Sequence, residues 1–310
     1  MNGLYLNARG RRKLGNNRES VLERRMTHID LKQNIEEVEQ QITNSDCDYI
    51  FIGYSDYLKQ LKPLCRKGVP VLLGTGDPWG RLFTNELRIL AEKHHIDGIV
   101  TDCKCTQQPY KEYLGKPNIN TFLLRWGVDT SIMKDYKEDK VWDIIQSGKF
   151  STYSYRRELN HILTIMTNRK QLDYHRFPPS QKTGISYEQY AINLNKSWLG
   201  IGGCIQNINQ AYYNNQFIGY TYRKTIEVPA CKTCLVNSVF GDAEDLGFVD
   251  GYNCILFTDL KDAINKIKKY LKDKNQILKM TERSYKLVHD NYDAEMVVDD
   301  FIKQVERVYE

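Results

Sequence analysis

The chain has 310 residues, 41% of them hydrophobic, and a formal net charge of +5, which leads one to expect two domains of about 150 residues each. It holds no apolar run of about 18 residues, so a membrane span is not expected. Its start, MNGLYLNARGRRKLG, places the charges after the short apolar piece, the wrong order for a signal peptide. The mild positive charge suits anionic ligands without by itself making a nucleic-acid binder.

Short apolar runs alternate with amphipathic segments almost from end to end. Leu4-Tyr5-Leu6 opens as a strand, and 34-NIEEVEQQI-42 has helical spacing. Next come the strand 48-DYIFIGY-54, a helix-like 55-SDYLKQLKPLCRKG-68 and the strand 69-VPVLLGTGD-77. A helix over 81-RLFTNELRILAEKHH-95 follows, closed by His94 and His95 as partners of its C-terminal dipole. Strands at 98–102 and 119–124 complete a first unit. The charged stretch 130-TSIMKDYKEDKV-141 lacks a strand signature and reads as a linker.

The pattern then restarts with the strand 142-WDIIQSG-148, the helix 155–166, the strand 171–177, the helix 186–197 and the strand 198–203. Strands at 234–240 and 253–257 precede the amphipathic helix 259-DLKDAINKIKKYLKD-273, and the tail from 275 to 309 is helical by pattern. Continuous apolar strands spaced by helices mean parallel sheets covered on both faces, so the fold class is α/β with two units in series and C-terminal helices. The expected boundaries are 1–130, a linker at 131–141, a second domain at 142–290, and a last helix at 291–310 packing back on the first domain.

Cysteines at 47, 65, 103, 105, 204, 231, 234 and 254 are scattered, several within apolar runs. They read as reduced thiols of a cytoplasmic protein. Cys231-Lys-Thr-Cys234 has the spacing of half a zinc site, but no second pair completes it, so packing is the expected role. No metal site is expected anywhere in the chain.

In open parallel sheets, ligands bind beyond the carboxyl ends of the strands. The loops there in the second half combine Gly, hydroxyls and Arg/Lys, which suits a phosphate. Neither half carries GxGxxG or a P-loop. The most informative stretch is 223-RKTIEVPACKTCLVNSVFGDAEDLGFVDG-251. Arg223 and Lys224 stand where a helix begins, and free N–H groups there favour an anion such as a diphosphate. Glu227, one turn on, either accepts two hydroxyl protons from a ribose or only stabilises its helix through the dipole.

The order Arg-x-x-x-Glu, Pro-Ala-Cys, strand, Asp-x-Glu-x-Leu, then 248-FVDGYNCILFTDLKDAINKIKKYL-271, resembles the donor-binding half of GT-B glycosyltransferases. More narrowly it is similar to group 1 proteins of the spore-maturation-protein-like branch. The resemblance covers about 220–290 and extends back through 148–163 and 185–197, while the first half is similar only in architecture and in 127-GVDTSIM-133. It implies two Rossmann-like domains facing each other across a cleft. It implies that Glu227 holds the ribose of a nucleotide sugar, that Arg223 neutralises the diphosphate, and that Gly148, Lys149 and Arg156 line the phosphate and sugar side. Asp242 and Glu244 would lie in the next loop, near the nucleotide. Many retaining members carry a second glutamate eight residues before the ribose-binding one, where this chain has Gly219.

The implied function is metal-independent transfer of a sugar from a nucleotide-diphosphate sugar, a UDP-sugar first, with no other cofactor. Transfer needs an aligned and often deprotonated acceptor hydroxyl. Asp77 in 74-GTGDPWG-80 is the candidate base, or else the N-cap of the following helix. Arg9, Arg11, Arg12 and Lys13, in a loop without acids, would draw an anionic acceptor such as a polymer, a lipid head group or modified DNA, or else form a solvated loop. The alternatives are a nucleic-acid-binding protein of GT-B shape without catalysis and a nucleotide-sugar epimerase.

Overall fold

The computed structural model describes residues 1–7, 18–53, 56–64, 68–75, 85–148, 154–177, 185–203, 212–213, 216–217, 221 and 223–310. The chain divides into two compact units. Met1–Arg125 and Glu295–Glu310 form the first, and Trp126–Ala294 the second.

The first unit is built on strands β1 (Gly3–Asn7), β2 (Thr27–Asp30), β3 (Tyr49–Ile52), β4 (Val71–Gly74), β5 (Gly98–Thr101) and β6 (Asn120–Leu123), with helices α1 (Arg18–Arg25), α2 (Ile35–Asn44), α3 (Asn85–Lys93) and α4 (Gln107–Leu114). The sheet is parallel, in the order β2-β1-β3-β4-β5-β6. The strands alternate with period two. Leu4, Leu6, Ile50 and Ile52 face a core shared with Val38, Ile42, Leu87 and Leu90. Tyr5 and Phe51, the residues between, stack at 5.2 Å.

Two expectations need correction in this unit. Residues 56–64 are not a helix. They make one 3₁₀ turn at Asp56–Lys59 and then run irregularly, with Leu58, Leu61 and Leu64 buried. Their i, i+3 spacing imitates a helix face, but Pro63 has no N–H to continue one. His94 is also not a charged partner of the helix end. It is 1% exposed, its Nε2 lies 3.0 Å from the Leu58 carbonyl oxygen, and burial pushes its pKa down. His95 instead adopts φ +48° as the chain leaves the helix.

The second unit holds β7 (Trp142–Ser147), β8 (Tyr174–Phe177), β9 (Ser197–Ile201), a two-stranded hairpin of β10 (Tyr212–Tyr213) and β11 (Gln216–Phe217), β12 (Cys234–Ser238) and β13 (Ile255–Phe257). Its helices are α5 (Ser154–Asn168), α6 (Tyr187–Asn195), α7 (Arg223–Ala230), α8 (Leu260–Leu271) and α9 (Lys274–Asn291). The main sheet is parallel, in the order β13-β12-β9-β7-β8. Ile144, Leu199, Val236 and Ile255 pack with Leu159, Leu163 and Ile267. Cys234 belongs to this core, and Cys231 lies beside Met133, Sγ to Sδ 3.9 Å. Residues 131–141 carry neither helix nor strand, yet they are fastened to this unit. Tyr136 N donates to Asn195 Oδ1, and Lys140 Nζ donates to the carbonyls of Asn195 and Lys232.

The helical tail breaks at Tyr292–Asp293, where Val128 N donates to Tyr292 O, and Ala294 N to Val128 O. Its last helix, α10 (Ala294–Tyr309), covers the aromatic face of the first sheet: Phe301 lies 5.2 Å from Phe51, and Tyr309 lies 5.9 Å from Phe122. Gln304 clasps the edge strand β6, donating to Leu123 O at 3.0 Å and accepting from Leu123 N at 2.9 Å. Among the described residues no helix is long and apolar enough to cross a membrane.

Candidate functional site

In both sheets the chain steps from one strand to its neighbour on one side, then returns to the other side of the first. The switch points lie between β1 and β3 and between β7 and β9, and at such points loops diverge and leave room for a ligand. Among the described residues, the second one gathers the strongest cluster of polar groups.

β7 ends in Ser147 and Gly148. Gly148 has φ +93°, and a Cβ there would lie 3.2 Å from Lys224 Cε and 3.8 Å from an Arg156 terminal nitrogen. Glycine therefore lets the backbone turn directly over both cations. Arg156, in the first turn of α5, is 4% exposed. It donates to the carbonyls of Gly202 (2.8 Å) and Ser147, tying the ends of β9 and β7 together, and its Nε has no partner among the described residues.

Helix α7 brings the remaining groups. It lies close to β9 because Gly200 has no side chain: a Cβ there would fall 2.6 Å from Val228 Cγ1. Arg223 and Lys224 open the helix, Glu227 stands one turn on, and the three meet. Arg223 Nε is 2.7 Å from Glu227 Oε1, and Lys224 Nζ is 3.6 Å from Oε2. Two hydroxyls complete the carboxylate, Tyr187 donating to Oε1 and Tyr190 to Oε2, each at 3.1 Å. Lys224 Nζ also donates to Ser147 Oγ at 2.8 Å and Tyr190 Oη at 3.0 Å.

Burial alone would raise the Glu227 carboxyl, which is 0% exposed. Arg223 and Lys224, then the two tyrosine hydroxyls, outweigh that effect and hold its pKa below the ordinary carboxylate value. Burial is the largest influence on Lys224 and brings its ammonium down to about 8; Glu227 opposes the fall, while Arg156 and Arg223 deepen it. Burial and then the Glu227 charge push both tyrosines up, so they remain hydroxyl donors.

Of the expected site residues, Gly148, Arg156, Arg223, Lys224 and Glu227 are thus brought together. Asp242 and Glu244 lie in the turn after β12. Asp242 is 4% exposed, and the Glu244 side chain is exposed. Lys149, Asp77, Arg9, Arg11, Arg12, Lys13 and Gly219 lie outside the described residues. Tyr187, Tyr190 and Ser147 are members that sequence reasoning missed. The signal available was two tyrosines one turn apart, right after the N-cap Ser186, at the start of a helix that leaves the sheet's carboxyl end. Asn237, the penultimate residue of β12, has a buried Oδ1 with no hydrogen-bond partner among the described residues.

At the first unit's switch point, a cavity of about 50 Å³ is lined by Asn7, Arg18, Glu19 and Asp102 together with Tyr5 and Phe51. Arg18 pairs with Asp102 at 2.5 Å and donates to Leu124 O. Among the described residues no group of three His, Cys, Asp or Glu is disposed to hold a metal ion.

Residues 139–303 match the model of a family described as glycosyl transferase-like. No curated protein matches the chain by sequence. Among solved structures, HepE of Anabaena in complex with UDP-glucose is similar at 12% identity and TM-score 0.65, covering 99% of this chain and 100% of that one. A glycosyltransferase from Rickettsia africae is similar at 11% identity and TM-score 0.62, covering 99% and 89%. TarM of S. aureus is similar at 12% identity and TM-score 0.59. That match covers 87% of this chain and 57% of TarM, so the chain spans little more than half of TarM's length.

Proposed function

We propose a donor-binding role for the cluster at β7 and α7 from one premise: the chain belongs to the glycosyl transferase-like family and has the GT-B fold of its structural neighbours. The reaction is transfer of a sugar from a nucleoside-diphosphate sugar, a UDP-sugar first, to an acceptor hydroxyl. The observation that carries this reading is the buried, ionised Glu227 paired with Lys224, which itself stands with Arg156 under the Gly148 turn. A carboxylate for a ribose diol and cations for a diphosphate stand side by side, in the order that a nucleoside diphosphate presents them.

In this reading the bond between sugar C1 and the diphosphate oxygen breaks, and the electron pair leaves with the diphosphate. Lys224, Arg156 and the free N–H groups at the start of α7 stabilise the charge that collects there, without a metal. The acceptor oxygen bonds to C1 and gives up its proton, with Asp77 as candidate base. Residues 1–130 form the acceptor side, and the basic residues Arg9, Arg11, Arg12 and Lys13 draw in an anionic acceptor, DNA included. Membership of the spore-maturation-protein-like branch belongs to the same reading, supported by the Arg-x-x-x-Glu and Pro-Ala-Cys spacing. A cytoplasmic setting is supported by the free thiols Cys231, Cys234 and Cys254, buried as packing groups. That HepE was solved with UDP-glucose supports a UDP-sugar as co-substrate.

Calorimetry with UDP, GDP and ADP tests the assignment. Binding of one of them, lost in Glu227→Ala, is the expected result. Binding of none, or equal binding by the variant, would sink it.

A further inference from the structure

On the Glu227 carboxylate, Oε1 already accepts two hydrogen bonds and Oε2 one. A carboxylate offers about four lone-pair directions. Here Oε1 takes Arg223 Nε and Tyr187 O–H, while Oε2 takes Tyr190 O–H and faces Lys224. A ribose diol that engages both carboxylate oxygens must therefore replace a group already on Oε1. The four differ in how firmly they are held. Tyr190 is 7% exposed, and its oxygen meets Ser147, Lys224 and Glu227 at 3.0, 3.0 and 3.1 Å. Lys224 also sits 4.9 Å above the Tyr190 ring. Tyr187 is partly exposed, follows the N-cap of α6, and has Glu227 as its hydroxyl's partner.

We propose that Tyr187 is a displaceable stand-in for one ribose hydroxyl on Glu227, and that Tyr190 is the positioning residue that keeps the other carboxylate oxygen in place. The proposal rests on the donor-binding reading above and adds residues that reading does not assign. A phenol O–H and a ribose O–H are the same kind of donor. Exchanging one for the other never leaves the buried carboxylate short of a partner, which would be costly. The stand-in keeps the empty site ordered and ionised, and it lowers affinity because every nucleotide must compete with it. Tyr190 joins the two ends of the site, linking the phosphate-side Lys224 to the ribose-side Glu227.

The test is titration calorimetry of UDP and of 2′,3′-dideoxyuridine diphosphate with the wild type, Tyr187→Phe, Tyr190→Phe and Glu227→Gln. Tyr187→Phe removes the competitor while keeping the ring, so UDP should bind at least about tenfold tighter, the equivalent of one hydrogen bond to a charged group. The dideoxy compound has no hydroxyl to take the vacated position, and its affinity should not change. Tyr190→Phe should bind UDP about tenfold more weakly, with circular dichroism checking that it folds. Unchanged or weaker UDP binding by Tyr187→Phe overturns the proposal, and so does an equal gain for the dideoxy compound. If UDP binds the wild type, is lost in Glu227→Gln and is unaffected by Tyr187→Phe, the stand-in fails and the donor site stands. If none of UDP, GDP and ADP binds the wild type, both fail; if GDP or ADP binds in place of UDP, the same variants are titrated with it and with its dideoxy form, and the same outcomes decide.

Discussion

Gly148 and Lys224 touch across the end of β7: the glycine holds φ +93°, and a Cβ on it would lie 3.2 Å from the lysine's Cε. The two residues are 76 positions apart in sequence (224 − 148), so the glycine is needed both for its backbone angle and for the space it leaves. Gly148→Ala should lower unfolding stability by about 1–2 kcal/mol, the usual cost of a side chain at positive φ. It should also weaken UDP binding by shifting Lys224. Denaturant unfolding and calorimetry on the same preparation separate the two effects.

The site should respond to alkaline pH through Lys224. Its pKa is held down to about 8, mainly by burial, against about 10.4 for a lysine in water. A charged lysine is thus disfavoured in the folded protein, so its penalty is present below about pH 8 and is relieved as the pH rises from there towards the unfolded value. Nucleotide binding runs the opposite way, because the diphosphate needs the ammonium. UDP affinity should therefore fall as pH rises through about 8, with proton uptake on binding near that pH. Calorimetry from pH 6 to 10 checks this, and Lys224→Gln should flatten the profile.

Acid should act through Glu227. Its folded pKa lies below the ordinary value, so its contribution is fully present above the unfolded pKa and is lost as pH falls through the folded one. Glu227→Ala should cost about 3–5 kcal/mol by leaving Arg223 and Lys224 without their buried partner. The gap between wild type and variant should begin to narrow as the pH falls below the unfolded value of about 4.3. Urea titrations at pH 7 and pH 3 measure both.

Gly200 sets how close α7 comes to the sheet, since a Cβ there would fall 2.6 Å from Val228 Cγ1. Gly200→Ala should destabilise by about 1–3 kcal/mol through overpacking. Adding Val228→Ala should return part of that loss. Strict additivity in the double-mutant cycle would contradict direct contact.

Much of this fold was legible in the sequence, because parallel strands buried on both faces show as continuous apolar runs, as at 49-YIFI-52 and 71-VLLG-74. β2 escaped because Thr27-His-Ile-Asp30 is an edge strand with only Ile29 fully buried, so it has no apolar run to show. The segment 56–64 misled because three buried leucines spaced by three copy a helix. In the site, Arg223 and Glu227 could be read together because one helix carries both. Tyr187, Tyr190 and Ser147 could not. They lie 40, 37 and 80 positions before Glu227 (227 − 187, 227 − 190, 227 − 147), and only the sheet order brings them to it. Nor does a tyrosine near a helix start show whether its hydroxyl will find a carboxylate or water.

The first unit takes its strands from the beginning of the chain and its last helix from the end. A ribosome makes a chain from the N-terminus onward. Throughout synthesis of the intervening residues, the aromatic face of Tyr5, Phe51 and Phe122 has no α10 to cover it, and Leu123 has no Gln304 at its edge. Trp126–Ala294 can complete its own sheet while the first unit waits. Residues translated first are thus among the last to be covered, and a chain released before residue 295 would carry a complete second unit and a first one whose aromatic face is left open.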